Sequence, residues 1–240
     1  MSKRLLAATA VALVLAACSP PSDPAPPPAT PAAPAPAQGP ASGPHTDPTA
    51  TASPEGGLQG GTDKWREVAS ADDEDRFARL DEAWKKALRE ASHEFGAQID
   101  SLGMLSVPDA ALDNPVPSPG KYRCRTVKIG SMDGEGLKYV AYPWFTCTVE
   151  LTPGGDLILT KTTGSQRTRG LIYPNDANPK QLVYVGAQAW GDTETTFPAY
   201  GAQPERDQVG AFERIGAGRW RMVVPWPKQE SKLDILEIRS

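Results

Sequence analysis

Arginines recur at spacing two in three places, Arg123/Arg125, Arg167/Arg169 and Arg219/Arg221. On an extended strand that spacing sets both side chains on one face. Guanidinium groups bind phosphate and carboxylate through paired N–H donors, so the six arginines form a candidate binding face for an anionic glycan, a lipid phosphate or an acidic partner. The same pattern suits the solvent side of half-buried strands, where positive charge discourages strand-to-strand association. One close carboxylate pair, Asp192 and Glu194, lies in a loop, and such pairs can hydrolyse glycosides or bind calcium. Asp133 and Glu135 share a glycine-rich turn without the ligand ladder of a calcium hand.

The remaining chemistry is sparse. Of two histidines, His45 lies in a proline-rich stretch and His93 among polar helical neighbours, so neither offers a base to a serine or cysteine nucleophile. Thr163-Gly164-Ser165-Gln166-Arg167 lacks the nucleophile-elbow spacing and reads as a hairpin turn. There is no P-loop, dinucleotide fingerprint or metalloprotease motif, and no catalytic residue, metal ligand set or cofactor is expected. A formal net charge of -4 argues against nucleic acid as a partner.

Each of the three cysteines has its own reading. Met1-Ser2-Lys3-Arg4 is a cationic start, and Leu5 to Ala17 is an uncharged apolar run too short to span a bilayer. The run ends Leu15-Ala16-Ala17-Cys18, which resembles a bacterial lipobox. That resemblance implies a signal peptide over residues 1–17, acylation of Cys18 and attachment to a membrane through lipid. Ser19 in place of aspartate implies the outer membrane, with the chain facing the periplasm. In an oxidising compartment the two cysteines that remain, Cys124 and Cys147, are expected to form a disulfide worth about 3 kcal/mol on the chain-entropy model.

The elements that must position these groups follow from composition and periodicity. From residue 18 to 62 the chain is rich in proline, alanine, serine and glycine and is expected to be a disordered, extended tether. Residues 63–240 are enough for one compact domain. Phe77, Leu80, Trp84, Leu88, Ala91, Phe95 and Ile99 recur every three or four residues, which predicts one long amphipathic helix over 72–102 that Ser70 or Asp72 caps. From 120 to 240 about eight extended runs alternate with turn residues at roughly ten-residue spacing. They fall near 121–129, 138–152 with a bend at Pro143, 156–163, 167–173, 181–190, 208–215, 219–225 and 233–239. The expected class is α+β, an antiparallel β-barrel or sandwich preceded by the helix. Parity turns Tyr122, Cys124 and Cys147 inward and Lys121, Arg123 and Arg125 outward.

Several segments together are similar to an uncharacterised bacterial family, domain of unknown function 4893. They are Trp65-Arg66, Gly120-Lys121-Tyr122-Arg123-Cys124-Arg125, Phe145-Thr146-Cys147, Gly170-Leu171-Ile172-Tyr173-Pro174, Glu213-Arg214-Ile215-Gly216 and Trp220-Arg221. The resemblance implies no activity. A looser similarity, through Gly120, Tyr122 and the strand count, is to the calycin barrels and implies ligand binding. The expectation is a non-enzymatic envelope lipoprotein that takes a small amphiphile inside the barrel or a protein or glycan on the arginine face. A glycan hydrolase using Asp192 and Glu194, or an inhibitor of a protease or lysozyme, is the alternative.

Overall fold

A computed structural model of the protein describes residues 61–240. The expected signal peptide, Cys18, His45 and nearly all of the expected tether lie outside the described residues.

The chain enters through a short turn at Trp65–Glu67, then forms α1 (Ala71–Ala78) and α2 (Leu80–Ser101). Nine strands follow: β1 (Gly120–Ser131), β2 (Tyr139–Ala141), β3 (Phe145–Leu151), β4 (Leu157–Lys161), β5 (Gln166–Pro174), β6 (Gln181–Trp190), β7 (Asp207–Gly216), β8 (Arg219–Pro225) and β9 (Ser231–Arg239). β2 and β3 both pair with β1, at Val127↔Ala141 and Cys124↔Phe145, so they act as one strand interrupted around Pro143. From β3 to β9 each strand pairs antiparallel with the next, and β9 returns to β1 with Arg123↔Arg239 through Ser131↔Ser231. The result is a closed eight-stranded antiparallel barrel. Closure leaves no long free edge, which is how all-antiparallel architectures avoid templating other chains.

Alternation sorts each strand into two faces. Inward residues including Tyr122, Cys124, Leu159, Tyr184, Phe212 and Ile238 fill one half of the interior. The Cys124–Cys147 disulfide, with its Cα atoms 5.8 Å apart, lies in that packed half and ties β1 to β3. Gly170 and Gly186 face each other across β5 and β6. A Cβ on either would collide with the opposite backbone and with Tyr184, so their bareness admits the tyrosine ring.

On the outer wall formed by β1, β7, β8 and β9, the part that α2 covers is apolar. Trp84, Ala87, Ala91 and Ile99 pack on Val127, Ile129, Leu233 and Ile235. The approach is close: at Gly130, φ 71°, a Cβ would sit 3.0 Å from the Ala87 backbone. The expected single helix is instead two, broken at Arg79, where φ is -96° and ψ is 22°. The break lets α1 follow β7 while α2 follows β1 and β9. Ser70 caps α1, its hydroxyl accepting from the Asp73 N–H at 3.2 Å. A second kink falls at Phe95, whose ring stacks on Tyr139 at 5.7 Å.

Candidate functional site

The half of the barrel interior away from the disulfide is polar. Thr126 and Lys128 on β1, Lys161 ending β4, Gln166 and Thr168 on β5, Gln188 on β6, Gln208 on β7 and Asp234 on β9 sit at the inward positions of their strands. Tyr184 donates to the Thr168 hydroxyl, which donates to Gln208 Oε1 at 2.7 Å. Burial pushes the Tyr184 phenol well above its ordinary pKa, so it stays a neutral donor at the boundary between the apolar and polar halves.

Three cavities with lining residues in common lie between this interior and the surface. The inner one, about 30 Å³, lies among Lys161, Thr168, Gln188, Gln208 and Asp234, and is on the scale of a water molecule. It shares Thr126, Lys161 and Gln166 with a cavity of about 230 Å³ that Phe145 and Ser165 also line. That one shares Tyr142 and Glu230 with an outer pocket of about 410 Å³ against Lys128, Met132, Leu137 and Val140. Part of the rim is apolar, with Leu137 73% exposed and Met132 48% exposed, beside Ser131, Asp133 and Glu230.

The two lysines of the mouth differ. Lys128 Nζ lies 3.1 Å from both Asp234 and Glu230. Burial alone would lower its pKa, but the two carboxylates outweigh it and hold Lys128 above the ordinary lysine range. Glu230 reaches it from a left-handed backbone, φ 66°, a conformation that costs an ordinary side chain about 1 kcal/mol or more. Lys161 is only 4% exposed, and among the described residues no carboxylate lies within ion-pair distance of it. Its ammonium donates to the Gln166 carbonyl at 2.6 Å and stands 4.2 Å from the centre of the Phe145 ring. Burial, with Arg167 and Lys128 adding to it, pulls Lys161 down to about 8. The site therefore holds a cation that lacks a counter-charge, at the junction of a polar interior and a partly apolar rim.

The arginines expected to form one face are distributed over two walls. On one, Glu237 is fully buried and accepts from Arg125, Arg219 and Arg239, each at 2.7 Å. Arg123, Arg125 and Arg239 also stand within 5.3 Å of the Trp144 ring centre. Arg221 corrects the expectation of an exposed face: it is 0% exposed and cannot touch a surface ligand. Its outward side is covered by Trp84 and by the segment after α2, and it bonds Glu213 at 2.7 Å and the carbonyls of Leu105, Val107 and Pro108. On the other wall Arg167 donates to the Gly191 and Glu194 carbonyls, while Arg169 faces Thr160 and Ala187 across its neighbouring strands. Glu194 is engaged by the Trp190 N–H and by Arg206, whereas Asp192 is exposed. Among the described residues no cluster of histidine, cysteine and carboxylate groups could hold a metal ion, and no helix is long and apolar enough to cross a membrane.

A family model described as Domain of unknown function (DUF4893) matches residues 65–238. No curated protein and no solved structure matches the chain.

Proposed function

The chain belongs to the DUF4893 family, whose match runs from the first turn into the last strand, and on that premise we propose that it is a non-enzymatic binding module that takes a small amphiphile at the barrel mouth, anionic head inward. Lys161 carries the proposal: it is a buried ammonium without a carboxylate partner among the described residues, and it lines two cavities that also share Thr126 and Gln166 in their walls. An anionic head supplies the missing counter-charge through charge-assisted hydrogen bonds. The amides of Gln166, Gln188 and Gln208 offer further donors, and Met132, Leu137, Val140 and Tyr142 at the rim suit an apolar body. This orientation fits a barrel whose other half is packed shut.

Binding is also tied to protonation. An anion beside Lys161 raises its pKa from about 8 toward the ordinary range, so association above neutral pH takes up a proton. The test is calorimetry with decanoate and, as the opposite-charge control, decyltrimethylammonium. Decanoate is expected to bind with proton uptake at pH 8.5, and Lys161→Met to weaken it roughly tenfold to a hundredfold. Equal binding of the two probes, or of decanoate to both proteins, refutes the proposal.

The setting is proposed with it: a mature chain that begins at acylated Cys18 and faces the periplasm from the outer membrane. The lipobox-like Leu15-Ala16-Ala17-Cys18 supports this, and a disulfide is at home in an oxidising compartment. Labelling with an alkyne fatty acid is expected to mark the wild type and not Cys18→Ser. The competing hydrolase reading predicts that Asp192→Asn with Glu194→Gln abolishes turnover of peptidoglycan. The engagement of both Glu194 carboxylate oxygens favours no turnover in either protein.

A further inference from the structure

On the outer wall the strand registers oppose like charges. Arg123 of β1 lies directly across from Arg239 of β9, and Arg239 lies directly across from Arg219 of β8. Three arginines thus stand in a row over three adjacent strands, whose backbones are about 4.8 Å apart. Directly opposed like charges destabilise a sheet, typically by a few tenths to about 1 kcal/mol per pair. In the next register position Arg125 faces Glu237, the buried carboxylate that binds Arg125, Arg219 and Arg239.

Glu237 organises this array without neutralising it. Among the described residues, Arg125, Arg219 and Arg239 ion-pair with no other carboxylate, and Arg123 has none. Arg123 is exposed, and the side chains of Arg125, Arg219 and Arg239 keep between a fifth and a third of their surface open. Trp144 lies against Arg123, Arg125 and Arg239 and limits the positions they can take. Three cations on one carboxylate and a fourth held beside them by Trp144, on a chain whose formal net charge is -4, make a preorganised site that selects for an anion.

We infer that the Arg123–Arg239–Arg219 row, backed by Arg125 and Trp144, is a binding site for a phosphate-bearing ligand. A phosphoryl group brings nearly two negative charges and three acceptor oxygens, which matches the excess charge of the row better than a single carboxylate does. The site faces outward, on the opposite side of the strands from Lys161 and the mouth, and stands independently of the amphiphile proposal.

Titration with tripolyphosphate at low salt tests it. Binding is expected at micromolar to millimolar concentration, weakening as salt rises. Arg123→Gln, which breaks no ion pair, is expected to weaken binding about fivefold or more, and Arg123→Gln with Arg219→Gln by more than the single change. Arg169→Gln, on the far wall, leaves it unchanged. The inference is overturned if tripolyphosphate does not bind, if Arg123→Gln and Arg169→Gln weaken it equally, or if a glutamate oligomer of matched charge binds as tightly. Arg239→Gln, checked for folding by circular dichroism, is the second variant and is expected to lose binding in the same assay.

Discussion

Lys161→Met separates the cost of a buried, unpaired cation from every other effect of the side chain. Lysine ordinarily titrates at 10.5, and in place Lys161 sits at about 8. That difference amounts to about 3 kcal/mol against the charged form, or about 2 kcal/mol once solvent screening at the open mouth is allowed for. The unfolded chain binds this proton between pH 8 and 10.5 and the folded chain does not, so the wild type gains stability as pH rises through that window. The methionine variant has no such gain. It does lose the bond to the Gln166 carbonyl and the contact with Phe145. Those losses set a nearly pH-independent offset between the two proteins, which drops out when their difference is followed from one pH to the next; the other titrating groups cancel between the proteins at each pH. Urea denaturation at pH 7, 8.5, 9.5 and 10.5 is the assay. Relative to wild type, the variant should lose about 2 kcal/mol between the first and last of these, which for a domain of this size is a shift of roughly 4–8 °C in Tm. Curves that stay parallel within about 0.5 kcal/mol would show that the amine is paired or solvated in solution and would remove the electrostatic basis of the mouth.

Three further outcomes follow from the packing. Replacing Cys124 and Cys147 together by alanine should lower the unfolding free energy by about 3 kcal/mol, and added reductant should then have no effect on the variant. Arg221→Met strands Glu213 in the interior and should cost about 3–5 kcal/mol by chemical denaturation, with part of that recovered when Glu213→Gln is added. Gly170→Ala drives a methyl into the Val185 carbonyl and the Tyr184 ring and should cost at least about 2 kcal/mol, read as a lower urea midpoint.

The barrel could be read in advance because each strand is bounded by glycine, proline or asparagine and keeps a period of two. The bend at Pro143 and the inward parity of Cys124 and Cys147 were visible for the same reason. The break at Arg79 was hidden. Phe77, Leu80 and Trp84 continue one helical stripe across it, yet the Phe77 ring packs at a tilt against Trp65, 4.9 Å between centroids, while Trp84 belongs to the cluster over β1 and β9. Only the tertiary need to serve two walls divides them. Arg221 shows a similar limit, since its spacing from Arg219 suggested an open arginine face but could not show that Leu105 to Pro108 would fold over it. The mouth was missed although a signal existed: Lys161 follows Leu157 and Leu159 at the inward parity, and a lone cation in that series marks a strand whose end is not meant to be dry. Its lack of a counter-charge depends on strands far apart in the chain.

The closing of β1 onto β9 sets the order in which the cylinder can be completed. Cys124 and Cys147 are 23 residues apart and can meet early, whereas Lys128 and Asp234 wait on a partner 106 residues away. A chain truncated before Ser231 would keep its crosslinked beginning and expose two unpaired rims, β1 and β8, wide enough to accept strands from a second molecule. Trimming the last ten residues would thus turn a self-sealed unit into a building block for fibrils.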